Sequence, residues 1–260
     1  MKNEKLIKDF KNKLQKEGFE SASFEARQIV IAAEDEQQAK AMLERRLKHI
    51  PLQYILGEWE FCGLPIAVGE GVLIPRQDTE TVVETALPLL KQIDSPVVYD
   101  VCAGSGCIGL STAVLGGAKV TFFEKSPIAI EYIKKNMALN KISAEVVECD
   151  VLMTDLDFPQ ADMIISNPPY IKTEEINSLS LEVKCEPIMA LDGGKDGLVF
   201  YRKIAQKWKR LLKSGGWLIF EIGYSQANDV MNIMKQAGYK SIEVRKDYAE
   251  NDRVVFGKNC

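Results

Sequence analysis

The chain predicts an α/β fold, a doubly wound, mostly parallel sheet of seven strands, joined to a small N-terminal helical domain by a β-hairpin connector. Three observations predict it. Beyond Pro96, short apolar runs alternate with helix-like stretches, the order of a parallel sheet wrapped by crossover helices. The first of those runs leads into a glycine-rich turn, Asp100-Val101-Cys102-Ala103-Gly104-Ser105-Gly106-Cys107-Ile108-Gly109. Before Pro51 the apolar period is helical instead.

Residues 1–50 read as a small helical domain. Leu6, Phe10 and Leu14 recur at helical spacing, Gly18 interrupts, Ser21 or Ser23 can cap a run from Phe24 to Ala33, and a third helix covers Gln37 to Lys48 until Pro51 stops it. Such a core is too small to stand alone, so it must pack on something else. His49, the single histidine, is expected on the surface at a helix end. Residues 51–75 turn aromatic and glycine-punctuated, through Tyr54-Ile55-Leu56, Gly57, Trp59-Glu60-Phe61, Gly63 and Ile66-Ala67-Val68, which predicts a hairpin connector. Residues 76–260 form the third unit, entered by a helix that ends near Leu90.

Within that unit the strand runs are Val97–Val101, Val120–Phe123, Ala144–Val147, Ala161–Ile165, Trp217–Phe220, Ile242–Val244 and Val254–Phe256. Helices are predicted from Cys107, from Pro127, near Leu198–Leu212 and over Gln226–Gln236. Ser126-Pro127 supplies an N-cap and a first helical residue, and Ile130, Ile133 and Met137 line one face of that helix.

Composition narrows the chemistry. With 260 residues, 46% hydrophobic and 27% charged, the chain can bury a large core. It opens on Met1-Lys2-Asn3-Glu4-Lys5 rather than an apolar leader, and no apolar run approaches the roughly 20 residues of a membrane span. Cytoplasmic residence without a membrane partner is the expectation. Six cysteines without a CxxC pair read as reduced thiols, and one histidine leaves no multi-histidine metal site. No metal is expected. A net charge of −4 lacks the field that draws basic domains to nucleic acid, and with neither a basic stripe nor a target-recognition domain evident, no direct nucleic-acid substrate is expected.

Successive strand ends carry the chemistry. Asp100, Cys102, Ala103, Gly104, Ser105 and Gly106 form a turn where doubly wound folds bind nucleotides, and Gly104 to Gly109 satisfies GxGxxG. That pattern alone fits NAD, FAD and S-adenosylmethionine alike. Asp100 either contacts the cofactor or caps the loop. Glu124, ending the next run, can accept from both ribose hydroxyls. Asp150 can accept from an adenine amino group, or form a turn, while Val151 flanks the ring. After the fourth run comes Asn167-Pro168-Pro169-Tyr170. Its prolines fix the backbone so that the Asn167 side chain and the Pro168 carbonyl can both accept from one NH2 group, and Tyr170 offers a face to a planar amide. Asn167 is expected to touch cofactor as well as substrate. The preferred chemistry is methyl transfer to a planar nitrogen.

These residues resemble the HemK/PrmC family of peptide chain release factor glutamine methyltransferases, within the class I S-adenosylmethionine-dependent fold. The resemblance spans most of the chain. It includes Pro51-Leu52-Gln53-Tyr54-Ile55-Leu56-Gly57, Ile74-Pro75-Arg76 with Thr79-Glu80, the glycine loop, the Asn167 tetrapeptide, Glu186-Pro187 through Ala190-Leu191 to Asp196-Gly197-Leu198, Phe220-Glu221-Ile222-Gly223 and Asp252-Arg253-Val254-Val255. It implies S-adenosylmethionine as cofactor, with S-adenosylhomocysteine as product. It also implies a class I release factor as protein substrate, docked by the helical domain of residues 1–50 and methylated on the glutamine of its Gly-Gly-Gln motif, with Asn167, Pro168 and Tyr170 catalytic and Pro169 in the substrate site. A ribosomal-protein glutamine is the alternative acceptor, and an adenine of DNA or RNA a more distant one. Two departures stand out. Cys102 replaces the first loop glycine, which is tolerable if its φ is negative, and Val151 stands where relatives often carry an aromatic ring. Arg76 and Thr79 are expected to border the pocket, unless Thr79 caps a helix, and Glu186 and Glu221 to stand behind it or on the surface.

Overall fold

Three helices open the chain in the computed structural model, which describes residues 2–153 and 157–260. They are α1 (Lys2–Lys16), α2 (Ala22–Ala32) and α3 (Glu36–Leu47). Asp35 caps α3 by accepting from Gln38 N at 2.8 Å, whereas Ser21 stands at the start of α2 without a side-chain cap. Phe10, Leu14, Ala26, Ile29 and Leu43 meet in one apolar cluster, joined by Leu52 and Ile55. His49 is not a free surface group. It has φ 60°, is half-buried, and stacks on Phe19 with ring centroids 5.0 Å apart.

The connector is part helix and part hairpin. Leu52–Leu56 forms a short helix, α4, stopped by Gly57 at φ 79°, so Tyr54-Ile55-Leu56 is not extended as expected. Pro51 at its start and a left-handed glycine at its end frame one helical turn, and Leu52, Tyr54 and Ile55 face inward. Strands β1 (Glu58–Phe61) and β2 (Leu64–Ala67) follow as an antiparallel pair.

The sheet comprises β3 (Val97–Val101), β4 (Lys119–Glu124), β5 (Glu145–Glu148), β6 (Ala161–Ser166), β7 (Leu212–Glu221), β8 (Tyr239–Lys246) and β9 (Asp252–Asn259). Its order is β5-β4-β3-β6-β7-β9-β8. All neighbours are parallel except that β9 runs antiparallel to both β7 and β8. Helices α5 (Glu80–Leu90), α6 (Cys107–Gly116) and α7 (Pro127–Leu139) cover one face, and α8 (Val199–Lys207) and α9 (Ala227–Gln236) the other. Strand residues alternate between the two cores, Val98 to one and Tyr99 to the other, then Ile219 and Phe220 likewise. The helix expected up to Leu212 yields at Trp208 to a 3-10 turn, and β7 begins at Leu212 rather than Trp217.

Two local structures position the site. The turn after β3 is left-handed at Cys102 (φ 62°), Gly104 (φ 56°) and Gly106 (φ 78°). Cys102 therefore does not have the negative φ under which a side chain was expected to be tolerated, and its Cβ carries a strain of about 1–2 kcal/mol. The segment after β6 is clasped by a second glycine-rich stretch. Ile171 N donates to Leu191 O at 2.9 Å and Gly193 N to Ile171 O at 2.8 Å, while Gln226 Nε2 holds Tyr170 O at 3.0 Å. A Cβ at Gly193 would lie 2.7 Å from Tyr170 Cα and 2.8 Å from Pro169 O. Only a glycine lets the two segments meet.

These glycines separate two causes of damage. Gly104→Ala meets nothing within 4 Å but must adopt φ 56°, and is expected to cost about 1 kcal/mol. Gly193→Ala meets backbone and should cost about 2–3 kcal/mol. Urea midpoints measured at constant m-value check the order, and equal costs would contradict it.

Candidate active site

A cavity of about 460 Å³ lies over the C-terminal ends of β3 to β6, where the strand order reverses and open α/β sheets hold ligands. Its inner wall comes from successive strand ends: Cys102 and Gly104 after β3, Glu124 closing β4, Asp150 and Val151 after β5, Asn167 and Pro169 after β6. Asp100, Ala103, Ser105, Gly106, Pro168 and Tyr170 stand behind this wall rather than in it.

Several of the hidden groups shape the loop. Asp100 is 1% exposed and accepts from Gly109 N at 2.8 Å through Oδ2; its Oδ1 is buried with no partner. Burial raises its pKa to about 7, against the pull of the Gly109 amide. The loop-capping role is thus realised, with one acceptor left over. Asn136 of α7 donates to Ser105 O at 2.9 Å and exchanges both hydrogen bonds with the Ala67 backbone, so one amide ties the loop to β2.

Glu124 is more occupied than expected. Its Oε2 accepts from Gly104 N, and its Oε1 from Lys125 N and Ser126 N, all at 2.8 Å. Three of about four lone-pair sites are filled by backbone, which leaves room for one hydroxyl without rearrangement rather than two. Asp150 is the turn former: Oδ1 accepts from Leu152 N at 2.9 Å and Oδ2 from Lys125 Nζ at 2.8 Å. The Lys125 ammonium holds its pKa below the ordinary value. It also borders the cavity.

Asn167 makes no side-chain hydrogen bond among the described residues, and the Pro168 carbonyl accepts none from the backbone loops around it. Neither acceptor is taken among the described residues; Asn167 lines the cavity, and Pro168 stands directly behind it. Tyr170 turns inward. Its hydroxyl donates to Glu221 Oε1 at 3.4 Å and its ring packs beside the second core.

The outer wall was not predicted. Gly71, Val72 and Leu73 form one side and Pro187 to Ala190 the other. One buried carboxylate joins them: Glu186, 3% exposed, pairs with Arg76 and accepts from Ile74 N at 3.3 Å. Tyr54 pins the same segment by donating to Val72 O at 2.6 Å. Arg76 thus acts through Glu186 instead of bordering the cavity. Thr79 neither lines it nor caps α5, and Glu186 and Glu221 are buried rather than exposed. The sequence signals for this wall were Pro187 and the Gly193-Gly194 pair, which mark turns without saying where they fold back.

Residues 83–184 match the family model of the Methyltransferase small domain, and residues 28–57 that of the PrmC N-terminal domain. The release factor glutamine methyltransferase of Thermodesulfovibrio yellowstonii is 42% identical over 234 residues, 87% of this chain and 82% of that protein. That of Clostridium acetobutylicum is 44% identical over 219 residues, 82% and 77% of the two chains. The Fusobacterium nucleatum protein is 43% identical over 235 residues, but the 88% of this chain that matches spans only 66% of it. Among solved structures, a methyltransferase from Pyrococcus furiosus superposes with TM-score 0.58 at 18% identity, over 86% of this chain and 98% of that one. The Thermus thermophilus 16S rRNA N2 G1207 methyltransferase, in complex with AdoMet and guanosine, gives 0.56 at 17% identity, over 78% and 50%. At such identities the likeness is one of fold. Sequence identity over most of both chains carries the conclusion that this chain belongs to the release factor glutamine methyltransferase family.

Proposed function

We propose that the protein transfers the methyl group of S-adenosylmethionine to the side-chain nitrogen, N5, of the glutamine in the Gly-Gly-Gln motif of class I release factors, in the cytoplasm. The observation that carries this reading is the pair of unengaged acceptors, Asn167 Oδ1 and Pro168 O, on a turn clasped by Gly193 and Gln226. A primary amide offers two N–H donors in one plane, which such a pair can take together. The names of the relatives support a release factor glutamine as that amide.

The cavity fits the cofactor. Glu124 and Asp150 offer acceptors at neighbouring strand ends, Val151 and Leu152 an apolar surface, and the buried Oδ1 of Asp100 an unused acceptor beneath the loop. S-adenosylmethionine supplies an electrophilic methyl group on a sulfonium. The chain's own residues do the rest by positioning. An amide nitrogen is a weak nucleophile, so Asn167 and the Pro168 carbonyl fix its plane and hold its hydrogens, and well-oriented reactants contribute on the order of 7–11 kcal/mol. The same acceptors stabilise positive charge as it develops on nitrogen. The proton leaves after transfer.

Residues 1–50 serve in this reading as the docking unit for the protein acceptor, with 51–75 as connector and 76–260 as the methyltransferase domain. The first unit has its own apolar cluster. Arg46, gripped by Glu25 at 2.6 Å, reaches across to Glu182 at 2.7 Å, so the bundle is tied to the segment that leads into the outer wall.

Two substitutions separate the parts. Asn167→Ala should lower turnover by about 10²–10³ while calorimetric S-adenosylmethionine binding survives; retained turnover would sink the assignment. Glu186→Ala should release both outer walls and weaken cofactor binding by about tenfold. An unchanged dissociation constant would show that the walls hold without it.

A further inference from the structure

We propose that Glu221 is a positioning residue of the acceptor grip, whose carboxyl braces the Tyr170 phenol and tightens it on losing its proton; the inference rests on the methyl-transfer reading of this site. Glu221 is the last residue of β7, one register step beyond the Phe220–Ser166 pair, so it stands beside the strand end that launches Asn167. It is 2% exposed. Tyr201 fixes its main chain by donating to Glu221 O at 2.9 Å, and the side chain is thereby aimed at Tyr170.

The hydrogen bonding of this carboxyl is incomplete. Oε1 receives the Tyr170 hydroxyl at 3.4 Å, a long bond. Oε2 is buried with no partner, and so is Thr79 Oγ1, although the two side chains interact. A protonated Glu221 satisfies both by donating from Oε2 to Thr79, and leaves Tyr170 on a neutral carbonyl. An ionised Glu221 accepts from both hydroxyls. The bond from Tyr170 then becomes charge-assisted, shorter and roughly twice as strong, and a negative charge stands behind the turn where positive charge develops.

The charged surroundings make either state reachable. Arg253 of β9 faces the carboxyl but is shared with Asp247 at 3.0 Å and Asp78 at 3.2 Å. Asp78, in the turn before α5, opposes ionisation, as burial does more strongly; Arg253 and the Thr79 and Tyr170 hydroxyls favour it. Tyr201 of α8, Cys107 of α6 and Arg76 complete the titratable groups around the pair. Burial dominates, and the pKa of Glu221 is pushed up to about 7. Because the folded value exceeds the unfolded one, the stability this group confers is full below its unfolded pKa near 4.5 and is lost as pH rises through about 7. Ionisation thus tightens the grip while weakening the fold.

The test uses the intact protein with S-adenosylmethionine and a release factor, followed from about pH 5.5 to 9. Wild-type kcat should rise about tenfold through the neutral range, and Glu221→Gln should stay flat near the low-pH level with cofactor affinity unchanged. In parallel, the Cζ resonance of Tyr170 in protein labelled at tyrosine should titrate with the same midpoint and cease to do so in Glu221→Gln. Should that variant fail to fold, Thr79→Val, which removes a hydroxyl that favours the ionised carboxyl, should move both midpoints upward. A phenol that does not titrate, or a Glu221→Gln profile that follows the wild type, overturns the proposal. A titrating phenol in a protein inert towards every release factor overturns the acceptor assignment and leaves the brace standing.

Discussion

Backbone pairing of β3 with β6 is the constraint from which the site follows. The two strands are distant in sequence yet run parallel with Val101 opposite Ser166, and Ser166 Oγ locks the register by donating to Val101 O at 2.5 Å. Directly beyond this pair lie Cys102 and Asn167. Because β4 and β5 extend the sheet on one side and β7 on the other, the chain reverses direction of growth here, and two loops diverge to leave a crevice. A slip of one residue would turn every strand side chain to the other face. The double core, with Val98 and Ile165 on one side and Tyr99 and Ile164 on the other, forbids it.

How much of this was legible depended on whether the cause was local. Strand runs and the helix from Pro127 could be read because alternation and capping act within a few residues: Ser126 Oγ does accept from Ala129 N, at 3.3 Å. The helical turn at Leu52–Leu56 could not, since five residues carry no period, and the decision belongs to the apolar cluster that takes up Leu52 and Ile55. The site divides the same way. Each inner-wall residue follows a strand end and was visible from the chain order. The outer wall depends on Glu186 meeting Arg76 and Ile74, a long-range encounter that leaves no spacing pattern.

Cys102 shows the limit of reading a motif by residue type. A glycine loop tolerates substitution only where φ stays negative, and the sequence does not report φ. The left-handed value of 62° persists because Cys102 N and Ala103 N both donate to Phe123 O, at 3.0 and 3.3 Å, and because Gly104 N is fixed by Glu124. Strain of about 1–2 kcal/mol at one residue is smaller than the loss of several such hydrogen bonds in a buried loop. The turn therefore keeps its shape with the wrong residue in it.

Buried carboxylates carry the remaining organisation, and each answers its burial differently. Glu25 shares one guanidinium with Glu182, and the Arg46 side chain between them also lies 4.2 Å from the Phe19 ring. Glu186 has Arg76 as a direct counterion. Glu124, only half-buried, is held by backbone amides alone. Asp100 and Glu221 have neither a dedicated cation nor a full set of donors, and each keeps one unpartnered oxygen. A fold gains nothing in stability from leaving such atoms bare, since an unsatisfied buried acceptor costs about 1–3 kcal/mol. Both lie directly behind the cavity wall, one beneath the glycine loop and one behind Tyr170. Among the described carboxylates, incomplete satisfaction is confined to those two positions, one beneath the loop whose Cys102 and Gly104 line the cavity and one hydrogen-bonded to Tyr170 behind it.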